Sequence, residues 1–260
     1  MIKFKPRYHH CTSYPPGSTH VYLPHPYYMH RESIMLALFN DHRFAFFFWA
    51  LWHKEYKQER SDLVTLDWHQ DLAPADTKEE LKELDLENTF ELSFFAWARL
   101  NSLNDDHIKS AMYCNIIGDA YVICKQGMRL DNKDEIVDDM FGNKHIIKKF
   151  RCTQDAYEYL KDSSVERVYF DIDMDYFTIE NQSTNCEKKV TYIRKSEITE
   201  ILDPNSDFLY WIFQRMKGFT IAFEPDFVGG FTQAMKLYDV IERSLFTGSV
   251  MRHETTWRHF

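Results

Sequence analysis

Short apolar runs alternate with longer helix-favouring stretches along this chain. Ser33 to Phe39 (SIMLALF) is an apolar run that ends in the turn-like Asn40-Asp41-His42. Arg43 to Lys57 (RFAFFFWALWHKEYK) is long and apolar enough for a buried helix, and Leu63 to Leu66 (LVTL) is a second apolar run. This region therefore reads strand, histidine, helix, strand. Asp76 to Leu86 predicts a charged, solvent-facing helix, Phe90 to Leu103 an amphipathic one, and Thr153 to Lys161 a third. Ala120 to Cys124 and Val165 to Phe170 predict strands, the latter running into Asp171. Asp207 to Met216 and Phe231 to Phe246 read as helices, with the strand Phe219 to Phe223 between them ending at Glu224-Pro225. Asn132 to Lys149 is polar and fits neither period. Thr178 to Ser196, with its NQSTN cluster, reads as an excursion over the surface. Residues 1–30, rich in His, Tyr and Pro, read as an irregular arm with room for one short strand.

Strands alternating with helices predict an α/β fold, a mostly parallel sheet with helices on both faces. The 260 residues show no internal repeat and no linker, so residues 1–260 are expected to form one domain. In such sheets ligands bind beyond the carboxyl ends of the strands. His42, Asp67, Asp171 and Glu224 each fall at or just after the end of a predicted strand.

Composition narrows the function classes. The formal net charge is -9, and no basic run occurs, which argues against nucleic acid and favours a cationic or neutral substrate. The longest apolar run, Phe44 to Trp52, is too short to span a bilayer and reads as core. Five scattered cysteines (Cys11, Cys114, Cys124, Cys152, Cys186) form no Cys-x-x-Cys pair, and no signal-like apolar stretch opens the chain. A reducing cytoplasm, without a membrane, is the expected setting.

Two segments carry the candidate chemistry: Asp67-Trp68-His69-Gln70-Asp71, and Asp171-Ile172-Asp173-Met174-Asp175. Each places acids or imidazole at every second residue, and extended backbone turns such positions to one side. The apolar flanks predict burial. Buried, adjacent carboxylates repel and lose hydration, a cost that protonation or a cation relieves. Together with His42, this oxygen-rich set with some imidazole suits two divalent ions of moderate hardness. Manganese is the expected metal, with zinc, iron and cobalt as alternatives.

These motifs resemble those of the ureohydrolases, the family of arginase and agmatinase, which carry Asp-x-His-x-Asp, a later Asp-x-Asp and an earlier His around two manganese ions. DIDMDYF and TIAFEPDFVGG resemble more closely a divergent branch, the peptide arginases of ribosomal peptide biosynthesis, which convert arginine in a precursor peptide to ornithine and urea. The resemblance runs in islands from residue 33 to residue 235. It implies an arginase/deacetylase-like fold and a metal set of His42, Asp67, His69, Asp71, Asp171 and Asp173. Asp67 and Asp171 would bridge the ions, with His42 and Asp71 completing one site and His69 and Asp173 the other. The chain departs from the family in the spacing of Asp171, Asp173 and Asp175. It also has no His between Asp71 and Asp106, where the family places one for proton transfer. Asn88 occupies that region, and proton transfer would fall to His107 or water.

The expected activity is hydrolysis of the guanidine of an arginine-containing peptide. Asp71 would move the proton and Glu224 would pair with the guanidinium, because a planar fork matches a carboxylate. Glu224, Asn88 and Asp175 are the expected substrate contacts. The alternatives are a hydrolase of free arginine or agmatine, a deacetylase-type amidohydrolase, and a metal-binding interaction module without catalysis.

Overall fold

A computed structural model describes residues 14–57, 59–75, 77–126, 134–179, 190–250 and 255–259. Cys11 and Cys186, Asp76, residues 1–13 of the N-terminal arm and residues 180–189 of the NQSTN excursion lie outside them. The elements in chain order are β1 (Thr19–Pro24), β2 (Ser33–Phe39), α1 (Ala45–Glu55), β3 (Ser61–Asp67), α2 (Lys78–Glu83), α3 (Thr89–Ala98), α4 (His107–Tyr113), β4 (Ile117–Cys124), β5 (Glu135–Asp138), β6 (Lys144–Phe150), α5 (Thr153–Leu160), β7 (Val168–Asp173), β8 (Thr178–Ile179), β9 (Thr191–Tyr192), α6 (Lys195–Ile201), α7 (Asp207–Arg215), β10 (Met216–Ala222) and α8 (Phe231–Leu245). Single 3-10 turns occupy His42–Phe44 and Met174–Phe177.

Eight strands form one sheet in the order β1-β2-β10-β7-β3-β4-β6-β5. The six inner strands run parallel, and the edge strands β1 and β5 run antiparallel to their neighbours. This is the expected α/β architecture. The polar stretch 132–149, which fits neither period, supplies β5 and β6. β5, at the sheet edge, buries no residue fully, and β6 beside it alternates exposed with buried positions over its first half.

The continuous apolar runs are explained by burial on both sides. In β2, Ile34, Leu36 and Leu38 join the core shared with α5, α6, α7 and α8. Met35, Ala37 and Phe39 join the core beneath α1 to α4. Helix α1 is buried from Ala45 to His53, as a helix apolar on every side must be. Its Trp52 lies directly over Gly218 of β10. A Cβ on Gly218 would come within 2.3 Å of Trp52 Cε3. Gly218→Ala is therefore expected to lower stability by about 1–3 kcal/mol, the usual cost of overpacking, read from a denaturant unfolding curve. No helix among the described residues is long and apolar enough to cross a membrane.

The same alternation decides where the polar residues point. Val64 and Leu66 of β3, Phe170 and Ile172 of β7, and Phe219 and Ile221 of β10 face the α5–α8 core. Their neighbours Thr65, Asp67, Asp171, Asp173 and Thr220 therefore face α1 to α4, near the carboxyl ends of three adjacent strands.

Candidate metal centre

His42 is placed by the turn that leaves β2. The β2–β10 pairing continues past both strand ends, with Phe223 N–H bonded to the Phe39 carbonyl and Glu224 N–H to that of Asn40. Glu224 thereby comes beside the His42 backbone, and its Oε1 accepts the His42 N–H. The same oxygen accepts from Asn104 Nδ2 at 2.7 Å. Asp71, Asn104 and Glu224 all hold positive φ, at 50°, 61° and 40°. Non-glycine residues pay for that conformation, and it persists where surrounding contacts fix it.

His42 is fully buried and has acids on both sides. Its Nδ1 lies 3.0 Å from Asp71 Oδ2, 3.1 Å from Asp173 Oδ2 and 3.6 Å from Asp67 Oδ2. Its Nε2 lies 2.8 Å from Asp171 Oδ2. Ligand atoms of His42, Asp67, Asp71 and Asp173 all lie within 4.8 Å of one another. A second group, Asp67, His69 and Asp175, meets the same limit and shares Asp67. Both groups stand at or just beyond the carboxyl ends of the strands.

The loop after β7 is built to present Asp175. Asp173 Oδ1 caps its 3-10 turn by accepting the Asp175 N–H at 2.9 Å. Asp175 Oδ1 accepts Trp68 N–H at 3.0 Å, and its Oδ2 lies 2.7 Å from His69 Nδ1. Lys125 Nζ donates to the carbonyls of Tyr176 and Thr178, which ties the turn to the end of β4. Asp67 Oδ1 accepts His69 N–H at 2.7 Å within the first motif, and the contacts of Asp175 with Trp68 and His69 join the two motifs.

Electrostatics show that the cluster lacks balancing charge. Burial, then the carboxylates of Asp71, Asp175 and Asp173, hold Asp67 well above the usual carboxylate range. Burial raises Asp71 despite its bond to His42. Burial, then Asp175, pushes Asp173 up to about 7. Burial and then Asp173 raise Glu224 strongly. Burial works to lower His42, but Asp171 and Asp173 overcome it and hold the imidazole well above its ordinary value. Asp67 Oδ2 is buried with no hydrogen-bond partner. An acid-rich, buried donor set with an orphaned carboxylate oxygen at its centre fits divalent cations, which would neutralise the repulsion and fill the open valence.

Of the expected residues, the structure brings His42, Asp67, His69, Asp71 and Asp173 into the two groups. The structure places Asp171, Asp175, Asn88 and Glu224 otherwise than the resemblance implies. Asp171, the expected bridging ligand, is in neither ligand group, although it touches His42. It stands in register with Thr65 of β3 and Thr220 of β10. Thr65 Oγ1 donates to its Oδ2 at 2.7 Å and Thr220 Oγ1 to its Oδ1 at 2.5 Å. Together with the contact to His42 Nε2, this makes Asp171 the brace behind the imidazole. Asp175, expected at the substrate, takes the place in the ligand groups that the resemblance gave to Asp171.

Asn88 does not reach the cluster. It is the N-cap of α3, accepting from Phe90 N–H and Glu91 N–H and donating to Glu91 Oε1. The adjacent Glu87 is held by Lys54 at the far end of α1, while α3 ends near His42, where Arg43 bonds the Leu100 carbonyl. Eleven helical residues, about 16 Å, separate those ends.

Glu224 stands beside the cluster, but its Oε1 is engaged with His42 N–H and Asn104, so the contact seen is one that positions His42. Thr65, Thr220 and Asn104 were not foreseen. The polar threonine inside each of the apolar runs LVTL and FTIAF, on the acid-bearing face, was the available signal.

Carboxylate partners of metal-bound histidines tune affinity by about 10- to 100-fold. Asp171→Asn is expected to weaken Mn2+ binding by that amount with the fold retained, measured by calorimetry.

No protein-family model matches the chain, and no curated protein matches it. Among solved structures it is similar to the arginase of Helicobacter pylori, at 12% identity over 80% of this chain and 73% of that one, with a TM-score of 0.38. A likeness this slight carries no functional argument.

Proposed function

We propose that this protein is a two-ion manganese hydrolase that cleaves the guanidine of arginine side chains within a precursor peptide, leaving ornithine and releasing urea. The observation that carries the reading is the pair of ligand groups sharing buried Asp67, whose Oδ2 has no hydrogen-bond partner. His42, Asp67, Asp71 and Asp173 would hold an inner ion, and Asp67, His69 and Asp175 an outer one. Two such ions supply Lewis-acid activation of water near neutral pH.

The chain's own residues do the rest. Asp71, an acid of the inner group, would take the proton of the attacking water and return it to the departing δ-nitrogen as the carbon–nitrogen bond breaks. His69 is the ligand with substantial exposure, at 32% of its side chain. Its ring packs edge-on against Phe227 and Trp68. The substrate side chain would enter there, past aromatic faces that favour a guanidinium. The net acidic charge draws a cationic substrate. The choice of a peptide rests on the resemblance of DIDMDYF and TIAFEPDFVGG to the peptide arginases.

Manganese-loaded protein incubated with an arginine-containing peptide is expected to lower its mass by about 42 Da per arginine, with urea appearing, and not after metal stripping. Reaction of free arginine alone would remove the peptide assignment. If neither reacts, the guanidine assignment falls, and acyl-lysine and polyamine amides become the next substrates.

A further inference from the structure

The fully buried His107 opens α4 against the inner group, its ring 4.3 Å from that of His42 between centroids. Its Nδ1 lies 2.9 Å from the Asn104 carbonyl oxygen. A carbonyl only accepts, so Nδ1 carries the proton and Nε2 presents its lone pair. That Nε2 is buried and has no hydrogen-bond partner. Ligand atoms of His42, Asp71 and His107 lie within 4.8 Å of one another. Since Nδ1 is committed to the carbonyl, Nε2 is the nitrogen free to bind.

A neutral imidazole with one nitrogen fixed on a backbone carbonyl and the other bare is the form in which histidine ligates metals. The His25, His30 and Glu32 grouping elsewhere provides the contrast. There His25 Nε2 meets the Met216 carbonyl and Nδ1 accepts from Tyr27 N–H, so that ring has nothing left to offer.

We propose that His107 Nε2 is a further ligand at the inner position, on the side lined by His42 and Asp71. The inference rests on the two-ion reading. It makes the centre asymmetric, with two imidazoles at the inner position and one at the outer. Added nitrogen shifts an oxygen-rich site away from magnesium and calcium and towards manganese, iron, cobalt and zinc. Asn104 then supports the inner ion twice, through its carbonyl on His107 and through its amide on Glu224, which holds the His42 backbone.

The test uses Co2+ as the probe, added to the metal-free full-length protein, with stoichiometry, affinity and visible absorption as readouts. Wild-type protein should bind two ions of unequal affinity. His107→Phe keeps the ring volume and removes the nitrogen. It should bind the tighter ion at least about 100-fold more weakly and with an altered spectrum, while the weaker site is unchanged. His107→Gln gives the same reading should the Phe variant fail to fold, and circular dichroism of the metal-free proteins reports folding. Two ions bound by a folded variant with wild-type affinity and spectrum would overturn the ligand role and leave His107 as packing. Fewer than two ions bound by wild-type protein would overturn the two-ion reading itself, and this inference with it.

Discussion

Asp67→Asn is expected to make the metal-free protein more stable while removing metal binding at both positions. The two effects have one cause. Asp67 is the carboxylate common to both ligand groups, and its Oδ2 is buried without a partner among Asp71, Asp173 and Asp175. An asparagine keeps the Oδ1 that accepts the His69 N–H, and its amide can donate to the neighbouring acids. Removing an unsatisfied buried group recovers about 1–3 kcal/mol, visible as a higher unfolding midpoint in chelator. With Mn2+ present the order reverses. Residues one step behind the ligands already cost about 10- to 100-fold in affinity, so loss of the shared ligand should exceed that and take urea release with it. Unfolding curves with chelator and with Mn2+ check both signs. An Asp67→Asn protein that is less stable in chelator would show that the carboxylate is already satisfied by its surroundings.

The pH dependence of stability should likewise change sign with metal. In the metal-free protein the folded-state value of Asp173 is about 7, and those of Asp67 and Asp71 are also raised. A carboxyl that holds its proton more tightly when folded stabilises the fold fully below the unfolded value, about 3.9. That contribution is lost as pH rises through the folded value, about 7 for Asp173. His42 acts in the same direction. Its raised folded value adds stability below the unfolded value, and that is lost as pH climbs past the folded one. Stability in chelator should therefore fall between pH 5 and pH 8, by on the order of a few kcal/mol. Saturating Mn2+ should reverse the slope, because ligands must shed protons to bind a cation and affinity grows with pH. Midpoints measured across that range with and without chelator would need to run in opposite directions. Parallel curves would mean that the cluster does not titrate as a cation site.

What could be read in the sequence followed from periodicity. SIMLALF is β2 to the residue, and the aromatic run from Phe44 to Trp52 is the buried heart of one core. The alternate spacing in DWHQD and DIDMD predicts one extended face, but β3 ends at Asp67 and β7 at Asp173, so His69 and Asp71 stand in the loop after β3 and Asp175 in the 3-10 turn after β7. Which acid meets which ion is not local. Asp171 and Asp175 are equivalent in the sequence pattern, and only the register with Thr65 and Thr220 turns Asp171 into a brace behind His42. Asn88 misled for a similar reason. An asparagine ahead of a helix satisfies its first N–H groups as readily as it meets a ligand, and here it caps α3. The short α4 left little periodic signal, so His107 could not be placed against His42 before the chain was folded.

Titration of the metal-free protein with Mn2+ and a count of bound ions tests the central claim most directly. The account predicts two ions per chain, bound with unequal affinity at the groups that share Asp67. A protein that binds none, or saturates at one, would contradict it.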